Sequence, residues 1–162
     1  MFVNDTIKVV NEEYARMISS WTYEDIYSFY NHDISNISSL LDGNHYVLLD
    51  DKGDIIGYYC YGEDARIPTI EEEVYDDDYL DYGLGLRPNL CGKGYGQEFV
   101  TIGINYARVS LDCNHLRLSV ACFNERAIKI YKKVGFIIVR EITNSYFLNK
   151  FYIMKYTIKS TK

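Results

Sequence analysis

The sequence predicts an α/β protein in which a mixed β-sheet is covered by helices on both faces. The chain has 162 residues and is 48% hydrophobic, which is enough apolar material for one core and leaves little room for a second. Strand-like alternation and helix-like three-to-four-residue periodicity also follow one another along the chain. The order is strand, helices, three strands, helix, strand, helix and two strands. We therefore expect a single domain over residues 1–162.

The first half of the chain should open with a strand and lead directly into helices. Residues 6–10 alternate as a short strand, and Asn11, followed by two glutamates, is a typical helix start. Apolar and aromatic residues then recur at helical spacing over residues 12–41, which predicts two or three short helices. Residues 46–49 and 55–61 form the strands of a predicted hairpin, because an Asp- and Gly-containing turn separates them.

The second half supplies the remaining six elements. They are a strand, a helix, a strand, a helix and two strands, over residues 79–86, 96–111, 116–122, 124–134, 136–142 and 147–158. Pro88 ends the first of these strands, since proline cannot donate a ladder hydrogen bond. The helix at 96–111 carries two adjoining apolar stripes, one of which includes Val109, so we expect it to lie in the core.

An acidic segment, residues 63–81, dominates the charge of the chain. It holds nine acidic residues against Arg66 alone, while the whole chain carries a formal charge of −6. Such a density of negative charge repels phosphate backbones, which argues against nucleic acid as a partner. The segment is either a solvated acidic loop or a surface that attracts a cationic substrate.

Membrane and metal functions are not expected. No stretch reaches the roughly 20 apolar residues that a membrane span requires, and the N-terminus lacks the order of a signal peptide, so we expect a soluble cytoplasmic protein. His32, His45 and His115 form no pair at metal-ligand spacing, and the four cysteines do not form a metal motif. We therefore predict no metal.

A glycine-rich loop, Cys91-Gly92-Lys93-Gly94-Tyr95-Gly96, stands between a predicted strand and a predicted helix. Its glycines let successive peptide N–H groups face an anion at the positive end of the helix. The loop is not a P-loop, because the glycine spacing differs. It is not the dinucleotide fingerprint either, since Gln97 and Phe99 stand where a third glycine is needed. It predicts another kind of phosphate site, with a turn that binds nothing as the alternative.

A second motif lies 28 residues after Gly96. The pattern Asn-x-x-Ala-x-x-x-Tyr-x-x-x-Gly-Phe is filled by Asn124, Ala127, Tyr131, Gly135 and Phe136. With Pro88 and the glycine loop, it resembles the paired signatures of the GNAT family of N-acetyltransferases, whose loop reads Gln/Arg-x-x-Gly-x-Gly/Ala. Cys91 departs from that pattern, because it stands where the family has Gln or Arg.

The resemblance implies a mostly antiparallel central sheet and acetyl-CoA as cosubstrate. It places the cofactor contacts on the strand, the loop and the second motif: Leu84, Leu86, Cys91, Gly92, Lys93, Gly94, Tyr95, Gly96, Gln97, Asn124, Ala127 and Tyr131. It also implies direct attack by a neutral amine, with the Leu86 backbone N–H stabilising the oxygen and Tyr131 as general acid. Asn124 and Gly135 also have ordinary explanations as helix caps, and Tyr131 as part of an apolar stripe.

The acceptor amine is left open by the resemblance. Aromatic residues that could wall an acceptor pocket and hold a cation are Trp21, Tyr23, Tyr27, Phe29 and Tyr30. We take Tyr27, Tyr30 and Asp81 as candidate substrate residues, with a core role or ordinary exposure as the alternative. Together with the acidic segment they favour a cationic amine: a small molecule such as a polyamine or aminoglycoside, a lysine side chain or a peptide N-terminus.

Two other functions remain as alternatives. An acetyl-CoA-binding sensor or subunit with little catalysis fits Cys91 and the lack of a clear general base, although Tyr131 speaks against it. A nucleotide-binding module would use the glycine loop without acyl chemistry. Monomer and homodimer are both compatible with the sequence.

Overall fold

The structure, a computed structural model, describes residues 5–30 and 34–157, and the side chains at 29–36 lie outside this description. The strands are β1 (Thr6–Val9), β2 (His45–Leu49), β3 (Ile55–Tyr61), β4 (Leu80–Leu86), β5 (His115–Ala121), β6 (Ile137–Thr143) and β7 (Lys150–Thr157). The α-helices are α1 (Glu12–Ser19), α2 (Gly96–Ser110) and α3 (Glu125–Val134). Short 3-10 helices span Asp25–Tyr30, Ile34–Leu41, Glu63–Ala65 and Pro88–Leu90.

The seven strands follow the order β1-β2-β3-β4-β5-β7-β6. The pairs β1–β2, β2–β3, β5–β7 and β6–β7 are antiparallel, whereas β4 and β5 are parallel and are joined through α2. A parallel pair needs such a crossover, because a tight turn cannot return the chain in the same direction. The sheet is mixed and mostly antiparallel, which confirms the predicted fold class.

The described chain divides into two compact units. The first comprises Met1–Cys60 and Leu84–Gly96, and the second comprises Tyr61–Gly83 and Gln97–Lys162. Each has its own apolar side chains to bury. The single domain expected from the chain length stays a prediction.

The core of the first unit forms between α1 and the β1–β3 strands. Its buried residues include Ala15, Ile18, Val47 and Ile55, none more than 2% exposed. Asn11 caps α1 as predicted, since its side chain accepts a hydrogen bond from the Tyr14 backbone N–H at 2.9 Å. A cap of this kind stabilises a helix by about 1 kcal/mol.

The core of the second unit uses tyrosine as well as aliphatic residues. The hydroxyl of buried Tyr82 donates to the Val100 carbonyl at 2.9 Å, and that of buried Tyr61 donates to the Gly103 carbonyl at 2.6 Å. Both acceptors lie on α2, whose carbonyls therefore satisfy the only polar atoms of these rings. The buried face of α2 also includes Phe99. Val109, which we predicted for this face, is 69% exposed, so that part of the prediction was wrong.

Two segments differ from the predicted elements. The region 12–41 contains three short helices, as predicted, but only the first is an α-helix and the other two are 3-10 helices; residues 31–33 lie outside the described part. Strand β7 begins at Lys150 instead of 147, because buried Asn144 accepts hydrogen bonds from the backbone N–H groups of residues 146 and 147 and fixes a turn there. Ile158, the predicted end of that strand, lies outside the described residues. Over the described ranges, no helix is both long and apolar enough to span a bilayer.

Candidate active site

The glycine loop connects β4 to α2 through the 3-10 turn Pro88–Leu90. Gly92 has φ +72° and Gly94 has φ +88°, in the left-handed region that favours glycine. A Cβ built on Gly94 meets no atom within 4 Å, so the need for glycine there is conformational rather than steric. Helix α2 starts at Gly96, and the N–H groups of its first turn have no partner within the helix. The local geometry therefore suits an anion at the start of α2.

Cys91, the residue that departs from the family pattern, has a half-buried thiol. Its Sγ lies 3.7 Å from both the Leu86 and the Arg87 carbonyl oxygens, to which it is a weak donor. Its backbone N–H donates to the Pro88 carbonyl at 3.2 Å. The side chain thus contacts the preceding strand end of its own chain.

The end of β4 is held by residues of the same unit. The Leu86 carbonyl accepts a hydrogen bond from the Tyr23 hydroxyl at 2.8 Å, and the Arg87 N–H donates to the Ile56 carbonyl at 2.9 Å. A Cβ on Gly85 would lie 2.3 Å from the Tyr58 ring, so this position requires glycine for close packing. The packing of Tyr58 on Gly85 was not predicted, although a glycine inside a strand pattern is a sequence signal for a close approach.

The aromatic residues before β2 have different positions. Trp21 packs against the core of the first unit, with its ring centroid 6.1 Å from that of Tyr58, which supports the core interpretation. Tyr23 contacts the end of β4, as above, and Tyr27 is half-buried in the 3-10 helix Asp25–Tyr30. The side chain of Tyr30 lies outside the described residues.

Helix α3 carries the second motif in the second unit. The Asn124 side chain accepts a hydrogen bond from the Ala127 N–H at 3.1 Å, which makes it the N-cap. Gly135 follows the helix with φ +129°, and a Cβ there would lie 2.9 Å from the Tyr156 ring. The half-buried Tyr131 ring packs edge-on against Phe136 with centroids 5.8 Å apart. The structural interpretations of these positions are confirmed, and their roles in binding and catalysis stay predictions.

Asp81, a candidate substrate residue, is buried at 2% exposure in an ion-pair network. Its Oδ1 lies 2.7 Å from Arg117 Nε, and its Oδ2 lies 2.9 Å from Arg117 Nη2 and 2.7 Å from Arg66 Nε. Arg117 is itself completely buried. Burial alone would lower the pKa of Arg117, but the hydrogen bonds and charge of Asp81, with the charge of Asp77, outweigh this and raise it overall. Asp81 is thus bound on both carboxylate oxygens, which argues against its proposed exposure to substrate.

Tyr75 and Asp77 extend this network into the acidic segment. The Tyr75 ring contacts both arginines, with the guanidinium carbons of Arg66 and Arg117 at 5.3 and 5.0 Å from its centroid. Asp77 bonds to Arg117 and to Lys155. Partial burial raises the pKa of Asp77, but the Lys155 hydrogen bond and the two positive charges outweigh this and lower it overall.

The rest of the acidic segment divides into acids that hold the fold and acids that face solvent. Both carboxylate oxygens of Glu71 accept the Thr143 N–H, at 2.7 and 2.8 Å, and Arg140 donates to the backbone carbonyls of Glu72 and Glu73. Exposed acidic side chains with no partner among the described residues are Glu63, Glu72, Glu73, Asp76 and Asp78. The segment is therefore an ordered structure that presents a charged surface.

The predicted residues fall into two sets. The first unit contains Leu84, Leu86, Tyr27 and the loop from Cys91 to Gly96. Leu84 and Leu86 are half-buried near the end of β4. The residues in the second unit are Gln97, Asp81, Asn124, Ala127 and Tyr131.

Comparison with known proteins relates this chain to acetyltransferases. Spermidine N(1)-acetyltransferase of Escherichia coli (strain K12) is 29% identical over 90 residues, which cover 56% of this chain and 48% of that protein. N-alpha-acetyltransferase RimI of Mycobacterium tuberculosis is 29% identical over 93 residues, which cover 57% of this chain and 52% of that protein. The chain thus spans about half the length of these curated relatives.

The fold has solved counterparts. A spermidine N-acetyltransferase from Vibrio cholerae, solved in complex with CoA and spermine, aligns with a TM-score of 0.67 over 94% of this chain and 95% of that one. The two sequences are 17% identical, so this likeness shows the fold alone. The model of the acetyltransferase (GNAT) family matches residues 7–136, from β1 through α3 and Phe136. The chain therefore belongs to the GNAT acetyltransferase family.

Proposed function

We propose that the protein is an N-acetyltransferase that moves the acetyl group of acetyl-CoA to a cationic amine. The observation that carries the proposal is the glycine loop, with left-handed Gly92 and Gly94 immediately before α2, in a chain of the GNAT family. Such a loop offers peptide N–H groups and the positive helix end to a pyrophosphate. Exposed Lys93 adds a positive charge beside it.

The proposed cofactor contacts divide by chemistry. The N–H groups of residues 92–97 bind the pyrophosphate, the backbone of Leu84 binds the pantetheine arm in the manner of a strand, and the Leu86 N–H faces the acetyl group. As the resemblance implies, the Asn124 side chain contacts the pantetheine arm and Tyr131 meets the thioester sulfur, with Ala127 as a further cofactor contact. The residues present fit this ligand, because the loop contains the glycines that a close backbone approach needs. The expectations of no metal and of a cytoplasmic location stay predictions.

The proposed chemistry assigns two roles to this chain. The reacting nitrogen, in its neutral form, attacks the acetyl carbon, and the Leu86 N–H stabilises the negative charge that develops on the acetyl oxygen. The carbon–sulfur bond breaks, and Tyr131 gives its proton to the departing thiolate. The amine loses its proton to solvent, because the sequence offers no clear general base and Asp81 is bound to Arg117 and Arg66.

Replacing Tyr131 by Phe tests the acid role. We expect kcat to fall about 100-fold, the lower end of what a positioned general acid contributes, while the Kd for acetyl-CoA changes less than about threefold. Steady-state kinetics and calorimetric titration measure the two quantities. Tyr106→Phe, a change of another half-buried tyrosine of the second unit, is the control and should keep kcat within about twofold. An unchanged kcat in Tyr131→Phe would remove this residue from the chemistry.

Two features support a cationic acceptor. The acidic segment exposes Glu72, Glu73, Asp76 and Asp78, which raise the local concentration of cations. One relative carries the name spermidine N(1)-acetyltransferase, and the solved neighbour was crystallised with spermine. Polyamines are therefore the acceptors to test first.

The test is a turnover assay over a matched amine panel: spermidine, an aminoglycoside, a lysine-containing peptide and a peptide with a free N-terminus, with an uncharged amide as control. We expect release of free thiol with spermidine and weaker or no release with the peptides. Raising the salt concentration should raise the KM for spermidine, because screening weakens the attraction of exposed charges. Saturable acetyl-CoA binding without thiol release on any amine would favour the sensor instead.

A further inference from the structure

The open edge of β4 points to a positioning role for Tyr23. In the second unit, β4 pairs with β5 through Leu80 and Asp81, at its first two residues. At the other end, in the first unit, the Arg87 N–H donates to Ile56 of β3. Successive residues of an extended strand direct their backbone groups to opposite edges, whereas the N–H and C=O of one residue share an edge. Leu86 therefore directs both groups away from β3.

The Leu86 carbonyl on that edge is satisfied by side chains rather than by a strand. The Tyr23 hydroxyl donates to it at 2.8 Å, and Cys91 Sγ lies 3.7 Å away as a second, weaker donor. The Leu86–Arg87 peptide is therefore held on both sides, at its carbonyl by Tyr23 and Cys91 and at its N–H by Ile56. The Leu86 N–H, the proposed oxyanion donor, belongs to the same residue.

Tyr23 is suited to a permanent donor role. Burial, followed by the neighbouring Tyr58 and Cys91, raises the pKa of the Tyr23 phenol well above its usual range. The hydroxyl therefore keeps its proton at every pH at which the protein is studied. Tyr58 packs closely against Gly85, one residue before Leu86, so the backbone at the end of β4 is also fixed by this contact.

We propose that Tyr23 and Cys91 are positioning residues that hold Leu86 extended, so that its N–H faces the acetyl oxygen during transfer. This inference rests on the proposed function, since it concerns the donor assigned there. It also gives the Cys91 side chain a role that differs from a cofactor contact: the thiol secures the start of the glycine loop to the end of β4.

The experiment compares Tyr23→Phe with Tyr14→Phe. Tyr14 is also partly buried in the first unit, where it packs against the core, so the control loses a similar hydroxyl away from β4. We expect Tyr23→Phe to lower kcat about tenfold, the rate equivalent of one lost hydrogen bond, with the KM for acetyl-CoA within about twofold. Cys91→Ala should lower kcat about twofold, because a thiol is a weak donor. Tyr14→Phe should leave kcat within about twofold.

Hydrogen exchange followed by NMR tests the geometry without turnover. The Arg87 amide should exchange about tenfold faster in Tyr23→Phe than in Tyr14→Phe, while the amides of Val47 and Tyr59 in β2 and β3 keep their rates. A uniform rise across the first unit, or unchanged kcat with a lower Tm only, would overturn the positioning role. If the wild type transfers no acetyl group to any amine, the proposed function fails, and the exchange rate of Arg87 still decides whether Tyr23 holds the strand end.

Discussion

Two segments flank β4, and the chain stabilises them by different means. The acidic segment before the strand is held by side-chain charge, with Asp77 and Asp81 bound to a completely buried Arg117. The glycine loop after the strand is shaped by backbone conformation, through the left-handed Gly92 and Gly94. In the acidic segment, the charged side chains near Arg117 are paired within the fold. In the glycine loop, peptide N–H groups at the start of α2 have no partner within the helix.

The difference separates charges that stabilise from groups that can bind. Buried charge is costly without a partner, so the acids near Arg117 serve the structure first. Glycines lose more conformational entropy on folding than other residues and bury no side chain in the core. Left-handed glycines beside a helix start therefore indicate a ligand-binding role. Mutations should therefore act on stability before β4 and on affinity after it.

The largest effect should follow removal of Arg117. Arg117→Met leaves buried Asp81 with Arg66 as its remaining cation, and the free energy of unfolding should fall by about 3–5 kcal/mol. Urea unfolding measures the change, with exposed Arg108→Met on α2 as the control that should stay within about 0.5 kcal/mol. The double variant with Asp81→Leu should recover part of the loss, because no buried carboxylate is then left short of a partner. A loss below about 1 kcal/mol in the single variant would contradict this role for the network.

After β4, Gly94→Ala should act on affinity. Alanine is strained at φ +88°, so the loop shifts and the Kd for acetyl-CoA rises about tenfold, equivalent to about 1.4 kcal/mol. The control is Gly96→Ala. The family pattern accepts alanine at this position, and Gly96 is not one of the glycines with positive φ. Equal losses of affinity in both variants would show that the loop conformation does not matter for binding.

Asn124 tests whether one residue can serve both purposes. Replacing either helix cap, Asn11 or Asn124, by Ala should lower the free energy of unfolding by about 1 kcal/mol. Asn124→Ala should also weaken acetyl-CoA binding about threefold, whereas Asn11→Ala should leave it unchanged. Calorimetric titration of the two variants makes the comparison, and matched affinities would confine Asn124 to capping.

The smallest effect concerns Asp77, whose side chain is 42% exposed. Because its pKa is lowered in the folded state, its carboxylate stabilises the fold above its ordinary pKa of 3.8, and this contribution is lost as pH falls through the folded value. Asp77→Asn should cost less than about 1 kcal/mol at pH 7, since solvent screens the pair. The difference from wild type should shrink at about pH 3 in urea unfolding. Asp76→Asn, a change of an exposed neighbour, is the matched control for the loss of one negative charge at pH 7.

Elements with local signals could be predicted from the sequence. Asn124 and Gly135 mark the ends of α3, and Asn11 marks the start of α1, because caps depend on residues a few positions away. The glycine loop was likewise predictable, since positive φ depends mainly on the residue itself. The hairpin of β2 and β3 also followed from its turn.

Features that depend on distant partners could not be predicted. The side chains of a strand alternate between its two faces, so the sequence places Leu116 and Leu118 on one face of β5 and Arg117 on the other. Arg117 would be expected to be exposed there, but it is buried because the acidic segment supplies its partners. The hydrogen bond between Tyr23 and Leu86 spans 63 positions of sequence. The 3-10 turns after α1 reflect tertiary constraints that override helical periodicity.

Calorimetric titration with acetyl-CoA tests the central claim most directly, with ATP and NADH as controls under the same conditions. We predict saturable binding of acetyl-CoA, weakened about tenfold by Gly94→Ala, and no saturable binding of the two controls. Absence of acetyl-CoA binding, or equal binding of all three ligands, would contradict the assignment of Gly92 to Gly96 as the acetyl-CoA site.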